Sequence, residues 1–135
     1  MESKFTNRYN SFCNCLNGLK EAQFRDSSDP FVLSGTVQKF NLSFDISWKV
    51  MKDILVKYHM INYASGSPRD TLKEAYSVGL IDDDTWMEML KTRNELAHDY
   101  DGNLAETSYE KILNKYVPLL EQFRFKASEY IDKVE

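Results

Sequence analysis

The sequence predicts an all-α protein: an up-and-down four-helix bundle with one short additional helix. Three observations predict it. Apolar residues recur at steps of three and four along nearly the whole chain, the spacing of one-sided helix stripes. No stretch alternates apolar and polar residues as a half-buried strand would. Only five glycines and three prolines interrupt 135 residues, which favours long helices over many short strands.

In the first segment Phe5, Tyr9, Phe12, Leu16 and Leu19 form one continuous stripe, ending near Arg25 where "DSSDP" supplies polar turn formers. Asp29 is placed to cap a second helix with Pro30 at its first position, where the missing N–H costs nothing. That helix is long, because Leu33, Val37, Phe40, Phe44, Trp48, Met51, Leu55 and Tyr58 keep the same step until "YASGSP". Ser67, Pro68 and Asp70 then read as cap, first-turn proline and capping-box acid of a short third helix carrying Leu72, Ala75 and Tyr76. Gly79 stops it. Acidic residues open a fourth helix at about Asp84, with Trp86, Met89, Leu90, Arg93 and Ala97 on its buried stripe. A last segment opens with Asn103 and Glu106 at capping-box spacing. It runs through Tyr109, Ile112, Leu113, Tyr116, Leu120, Phe123, Tyr130 and Ile131, with a kink expected at Pro118. No repeat or linker divides residues 1–135, which read as a single domain.

Composition narrows the function. A hydrophobic share of 42% and an aromatic share of 13% describe a packed globule rather than a disordered chain. A net charge of −4 argues against a broad nucleic-acid surface, since phosphate contacts need concentrated Lys and Arg, but leaves room for a small basic pocket. Cys13 and Cys15 have no neighbouring Cys or His cluster to complete a metal site. They read as buried or half-buried thiols, and no metal or cofactor is implied. No apolar run approaches the roughly 18 residues of a membrane span, and the N-terminal residues lack the pattern of a signal peptide. A cytoplasmic protein is expected.

The stretch with chemical content is "TRNELAHDY", residues 92 to 100. Arg93 follows the core stripe, an odd place for a guanidinium, so it must meet a carboxylate, a carbonyl or a phosphate in a crevice. Asn94 and His98 are four apart and share a neighbouring face. From Arg93 to His98 the rotation is about 140°. For both to touch one ligand, the Arg must wrap back, the helix must unwind near "DYDG", or two chains must face each other across a twofold axis. The negative end of the helix, with Glu95 and Asp99 nearby, favours imidazolium at His98. Such a pair suits phosphodiester chemistry without a metal: His98 moves a proton to or from an RNA oxygen, and Arg93 stabilises charge on the phosphate. Taken alone, though, an Arg and a His five apart are common enough that structure is the first explanation.

Other residues read as structure first. Trp48 is a core aromatic. Asp45 and Lys49 form an exposed i,i+4 pair, or else line a groove facing a partner. Capping explains Ser67-Pro68, while Arg69 is placed for phosphate if this turn borders the cleft. His59 ends the second helix as a solvated or capping residue. Tyr109, Tyr116 and Tyr130 keep core spacing, and Lys111, Lys115, Arg124 and Lys126 read as a solvated face.

Three blocks in order, "FDISWK" (44–49), "SPRDTLKEAYSVGLI" (67–81) and "WMEMLKTRNELAHDYD" (86–101), together resemble the small helical HEPN proteins that partner minimal nucleotidyltransferases, often described as nucleotidyltransferase substrate-binding proteins. The resemblance covers most of the chain, and "RNELAHDY" matches the family's Arg-x4-His motif extended to a Tyr through Arg93, His98 and Tyr100. It implies a homodimer whose motifs meet in a cleft between subunits, with Arg69, Asn94, Asp99 and Lys49 as candidate lining residues. It implies a separate small nucleotidyltransferase as partner. In the toxin and antitoxin version of the pair, the helical chain is a metal-independent ribonuclease with Arg93 and His98 catalytic and RNA in the cleft. The partner silences it by adding AMP to the tyrosine at the position of Tyr100. The alternative is a non-catalytic subunit that presents a nucleotide or substrate to the partner enzyme. A scaffold whose motif only holds the dimer ranks last, because a buried Arg and His stabilise an interface poorly.

Overall fold

A computed structural model describes residues 3–59 and 66–134 of the chain, with side chains described through residue 131. Among these residues there are helices and no strand, as the apolar periodicity predicts. The helices are α1 (Lys4–Lys20), α2 (Pro30–Tyr58), α3 (Pro68–Ser77), α4 (Thr85–Leu96), α5 (Asn103–Lys111) and α6 (Val117–Val134). A 3-10 turn at Glu21–Phe24 extends α1, and a π-helical turn at Ile112–Tyr116 joins α5 to α6. The expected end-mark of α2, "YASGSP", falls partly outside the described residues; the helix itself stops at Tyr58.

The termini follow local chemistry. Ser3 caps α1 by accepting from the Thr6 amide at 3.0 Å. Asp29 caps α2 through the Phe31 amide at 2.9 Å, with Pro30 at the first helical position. Ser67 does the same for α3 through the Asp70 amide at 3.2 Å. At the other end of α3 the Leu80 amide donates to Ala75 and the Gly79 amide to Tyr76, a Schellman closure that needs the left-handed φ of 84° at Gly79. Pro118 has no amide to donate. The backbone absorbs this one turn earlier, where the Val117 amide reaches back five residues to Ile112, so the expected disturbance takes the form of a π turn.

Helix α2 is the centre. It packs against α1, α3, α4, α5 and α6, while α1 also meets α6, and α4 meets α3 and α5. Phe40, Phe44, Val50, Met51, Ile54 and Leu55 are fully buried along it. The aromatics lock the helices together: Phe40 stacks on Tyr116 at 5.4 Å, Phe44 meets Trp86 at 6.3 Å, and Phe123 lies 5.9 Å from both Trp86 and Phe12. Truncating one of these rings would cost about 3–5 kcal/mol.

Three expectations need correction. Tyr76 is exposed rather than part of the α3 core face, because Leu72 and Ala75 already fill the contact with α2. Ala97 is exposed too, and the core face of α4 continues through Thr92 and Leu96 instead. Arg124 is not on a solvated face: it donates to Asn17 at 2.9 Å and to Glu121, tying α6 to α1.

Candidate functional site

The register of α4 fixes what the site can do. Met89 and Leu90 are buried, and Thr92 is buried because its hydroxyl shares a 2.9 Å hydrogen bond with Tyr116. Arg93 therefore emerges at the seam between α4 and α2. There its Nε donates to Asp45 Oδ1 at 3.0 Å and its Nη2 to Asp45 Oδ2 at 2.9 Å. The side chains are 33% and 28% exposed. The crevice the sequence requires for Arg93 thus exists, and a carboxylate fills it. Asp45 does not form the expected pair with Lys49. Lys49 is exposed, 5.9 Å from the Trp48 ring, and does not line the groove described below.

Helix α4 ends at Leu96, with Ala97 as its C-cap, so His98 lies just beyond it. Its amide closes a turn on the Glu95 carbonyl at 3.1 Å, and its imidazole is exposed with no hydrogen-bond partner among the described residues. The helix thus does unwind before "DYDG". The unwinding leaves the imidazole exposed, with no contact to Arg93 among the described residues. Tyr100, at the tip of the turn, is 91% exposed.

Asp99 has a structural task. Its carboxylate accepts the Leu104 amide at 3.1 Å and the Ala105 amide at 2.8 Å, so it caps α5 from three residues before the N-cap position. Gly102 occupies that position with φ 76°, and the capping box expected from Asn103 and Glu106 does not form. A helix N-terminus favours a carboxylate here. The consequence is a closed loop, 97–102, that presents Tyr100.

Of the sequence-predicted residues, Arg69, Asn94 and His98 come together. With Met87, Leu90, Lys91 and Glu95 they line an open groove of about 460 Å³ between the start of α3 and the outer face of α4. Its floor is apolar and its rim carries Arg69, Lys91, Glu95 and His98. Arg93 does not line it. It reaches the rim only through Asn94, whose Oδ1 accepts from Arg93 Nη1 at 3.4 Å. Asp45 was legible only as a helix-surface charge; the signal that identifies it is the demand of the core-facing Arg93 for a carboxylate. Lys91 and Glu95 follow from the helical spacing with His98, Glu95 falling one turn after Lys91.

Cys13 and Cys15 are half-buried free thiols. Among the described residues no group of three or more potential metal ligands occurs, and no helix is long and apolar enough to cross a membrane. His59 is the C-cap of α2, its ring 3.5 Å from the Tyr130 hydroxyl.

A family model described as nucleotidyltransferase substrate binding protein like matches residues 6–129. The chain is also 32% identical over 99 residues to a Haemophilus influenzae (strain ATCC 51907 / DSM 11121 / KW20 / Rd) protein named "Probable ribonuclease HepT". That alignment covers 69% of this chain and 68% of the relative.

Proposed function

The chain belongs to the nucleotidyltransferase substrate binding protein like family, and from that premise we propose that it is the HEPN subunit of a two-component minimal nucleotidyltransferase system, a dimeric, metal-independent endoribonuclease of the cytoplasm silenced by AMPylation of Tyr100. The observation that carries this reading is the lone histidine groove. His98 has an imidazole without a hydrogen-bond partner among the described residues, in a groove with cationic residues, and two positions on stands a tyrosine that is 91% exposed. The name of the Haemophilus influenzae relative points the same way.

In this reading two copies of the groove face one RNA strand. One His98 takes the proton of a 2′-hydroxyl as its oxygen attacks phosphorus. The bond to the 5′-oxygen breaks, and that oxygen receives a proton from the imidazolium of the second copy. Arg93, held by Asp45, sets Asn94 at the rim and adds positive charge behind the phosphate. The partner transferase moves AMP from ATP to the Tyr100 oxygen and releases pyrophosphate. The adduct places bulk and negative charge at the groove mouth, which repels RNA.

A second reading is favoured by the Asp45 pair, which takes up the charge of Arg93. The chain would then be a non-catalytic subunit presenting a nucleotide or substrate to the transferase. Induction of the chain alone in a bacterial host separates the two. Growth arrest with RNA cleavage, relieved by His98→Ala or Arg93→Ala, is the result expected. Normal growth with folded, unmodified protein would leave the substrate-binding subunit as the better account.

A further inference from the structure

The cations near His98 are not equivalent. Arg93 spends two donors, Nε and Nη2, on Asp45 and does not line the groove. Lys91 lines it but lies 4.0 Å from Glu95, which lines it too. Arg69 projects from the first turn of α3 on the opposite wall, is exposed, and makes no ion pair among the described residues. A phosphate ester entering the groove therefore meets a guanidinium that no carboxylate pairs with among the described residues, across from His98. Guanidinium is also the side chain best shaped for bidentate contact with phosphate.

From this we infer that Arg69, rather than Arg93, is the residue that grips the phosphate of the ligand beside His98, a binding and positioning role resting on the proposed function above. The ligand is a phosphate ester, either the RNA backbone or the phosphates of a free nucleotide. The groove divides the work: Arg69 fixes the phosphate, His98 moves protons, and Asn94 relays the placement of Arg93. Apolar Met87 and Leu90 leave the floor to the sugar or base.

The test uses the full chain and two probes, a short fluorescein-labelled 2′-O-methyl oligoribonucleotide and a fluorescent ATP analogue, with cleavage of unmodified RNA run in parallel. Arg69→Gln should weaken the oligonucleotide by roughly tenfold or more, as expected for a lost charge-assisted contact. It should also reduce the slope of log affinity against log salt by about 0.7, one phosphate's worth on a single strand. Arg69→Lys should recover part of both, Lys126→Gln on α6 should change neither, and the melting temperature of Arg69→Gln should match wild type. In cleavage the loss should fall on KM more than on kcat. Weakened binding of ATP alone would keep Arg69 as the phosphate residue and assign the groove to a nucleotide. Weakened binding without any wild-type cleavage would sink the ribonuclease reading while Arg69 stands. Unchanged affinity for both probes, or no binding of either by the wild type, would overturn the inference.

Discussion

The Asp45 carboxylate of α2 grips the Arg93 guanidinium of α4 through two parallel hydrogen bonds of 3.0 and 2.9 Å. This pair sets the angle at which Arg93 leaves the helix seam. Asp45→Asn keeps the shape but removes the charge, so Arg93 should lose its fixed direction. Because both groups are about a third exposed, the stability cost should be modest, about 1 kcal/mol. RNA cleavage should fall more than tenfold, with Asp45→Glu recovering part of it. Thermal melting and cleavage rates of the two variants check this, and full activity in Asp45→Asn would show that the pair is structural only.

Asp99 should matter to stability and not to proton transfer. Its carboxylate holds two amides of α5, and loss of such a cap costs about 1 kcal/mol. For a domain of this length that lowers the melting temperature by roughly 3–6 °C. Asp99→Ala should show this drop, while Asp99→Asn, which keeps one acceptor oxygen, should show about half of it and retain cleavage.

Tyr116 is fully buried against Phe40 and bonded to Thr92. Burial pushes its hydroxyl up from 10.0 to about 12, with Glu88 adding to the rise. The unfolded chain therefore loses this proton first as pH rises. The stability linked to Tyr116 is complete below about pH 10 and is lost through pH 12, on the order of 2–3 kcal/mol at one pKa unit per 1.36 kcal/mol. Tyr116→Phe should flatten this alkaline decline relative to wild type in chemical denaturation at stepped pH, after an initial loss of about 1 kcal/mol for the hydrogen bond.

Gly79→Ala isolates a backbone effect. No heavy atom lies within 4 Å of a Cβ built there, but φ is 84°. The cost should be about 1–2 kcal/mol, from the left-handed conformation alone, measured by denaturant melting. A larger loss would point to a contact that the geometry lacks.

Most of the fold was legible because periodicity and capping are local. The stripes of α1 and α2, the Asp29 and Ser67 caps and the stop at Gly79 each depend on residues a few positions apart. What the sequence hid is non-local or competitive. Asp45 and Arg93 are separated by 48 positions, and Lys49, one turn away, satisfied Asp45 on paper. Asn103 looked like a cap, but Asp99 reaches the Leu104 and Ala105 amides from across the loop and Gly102 takes the N-cap position. Arg69, Asn94 and His98 were each named from sequence, but only the packing of α3 against α4 sets them in one groove, and it also shows that Arg93 stands outside it.

The most direct test of the central claim is cleavage of a defined single-stranded RNA by the purified, unmodified chain in excess EDTA, beside His98→Ala. The account predicts cleavage by the wild type that leaves 2′,3′-cyclic phosphate ends and is abolished in His98→Ala. Absence of cleavage by folded, dimeric wild type, or equal cleavage by His98→Ala, would contradict it.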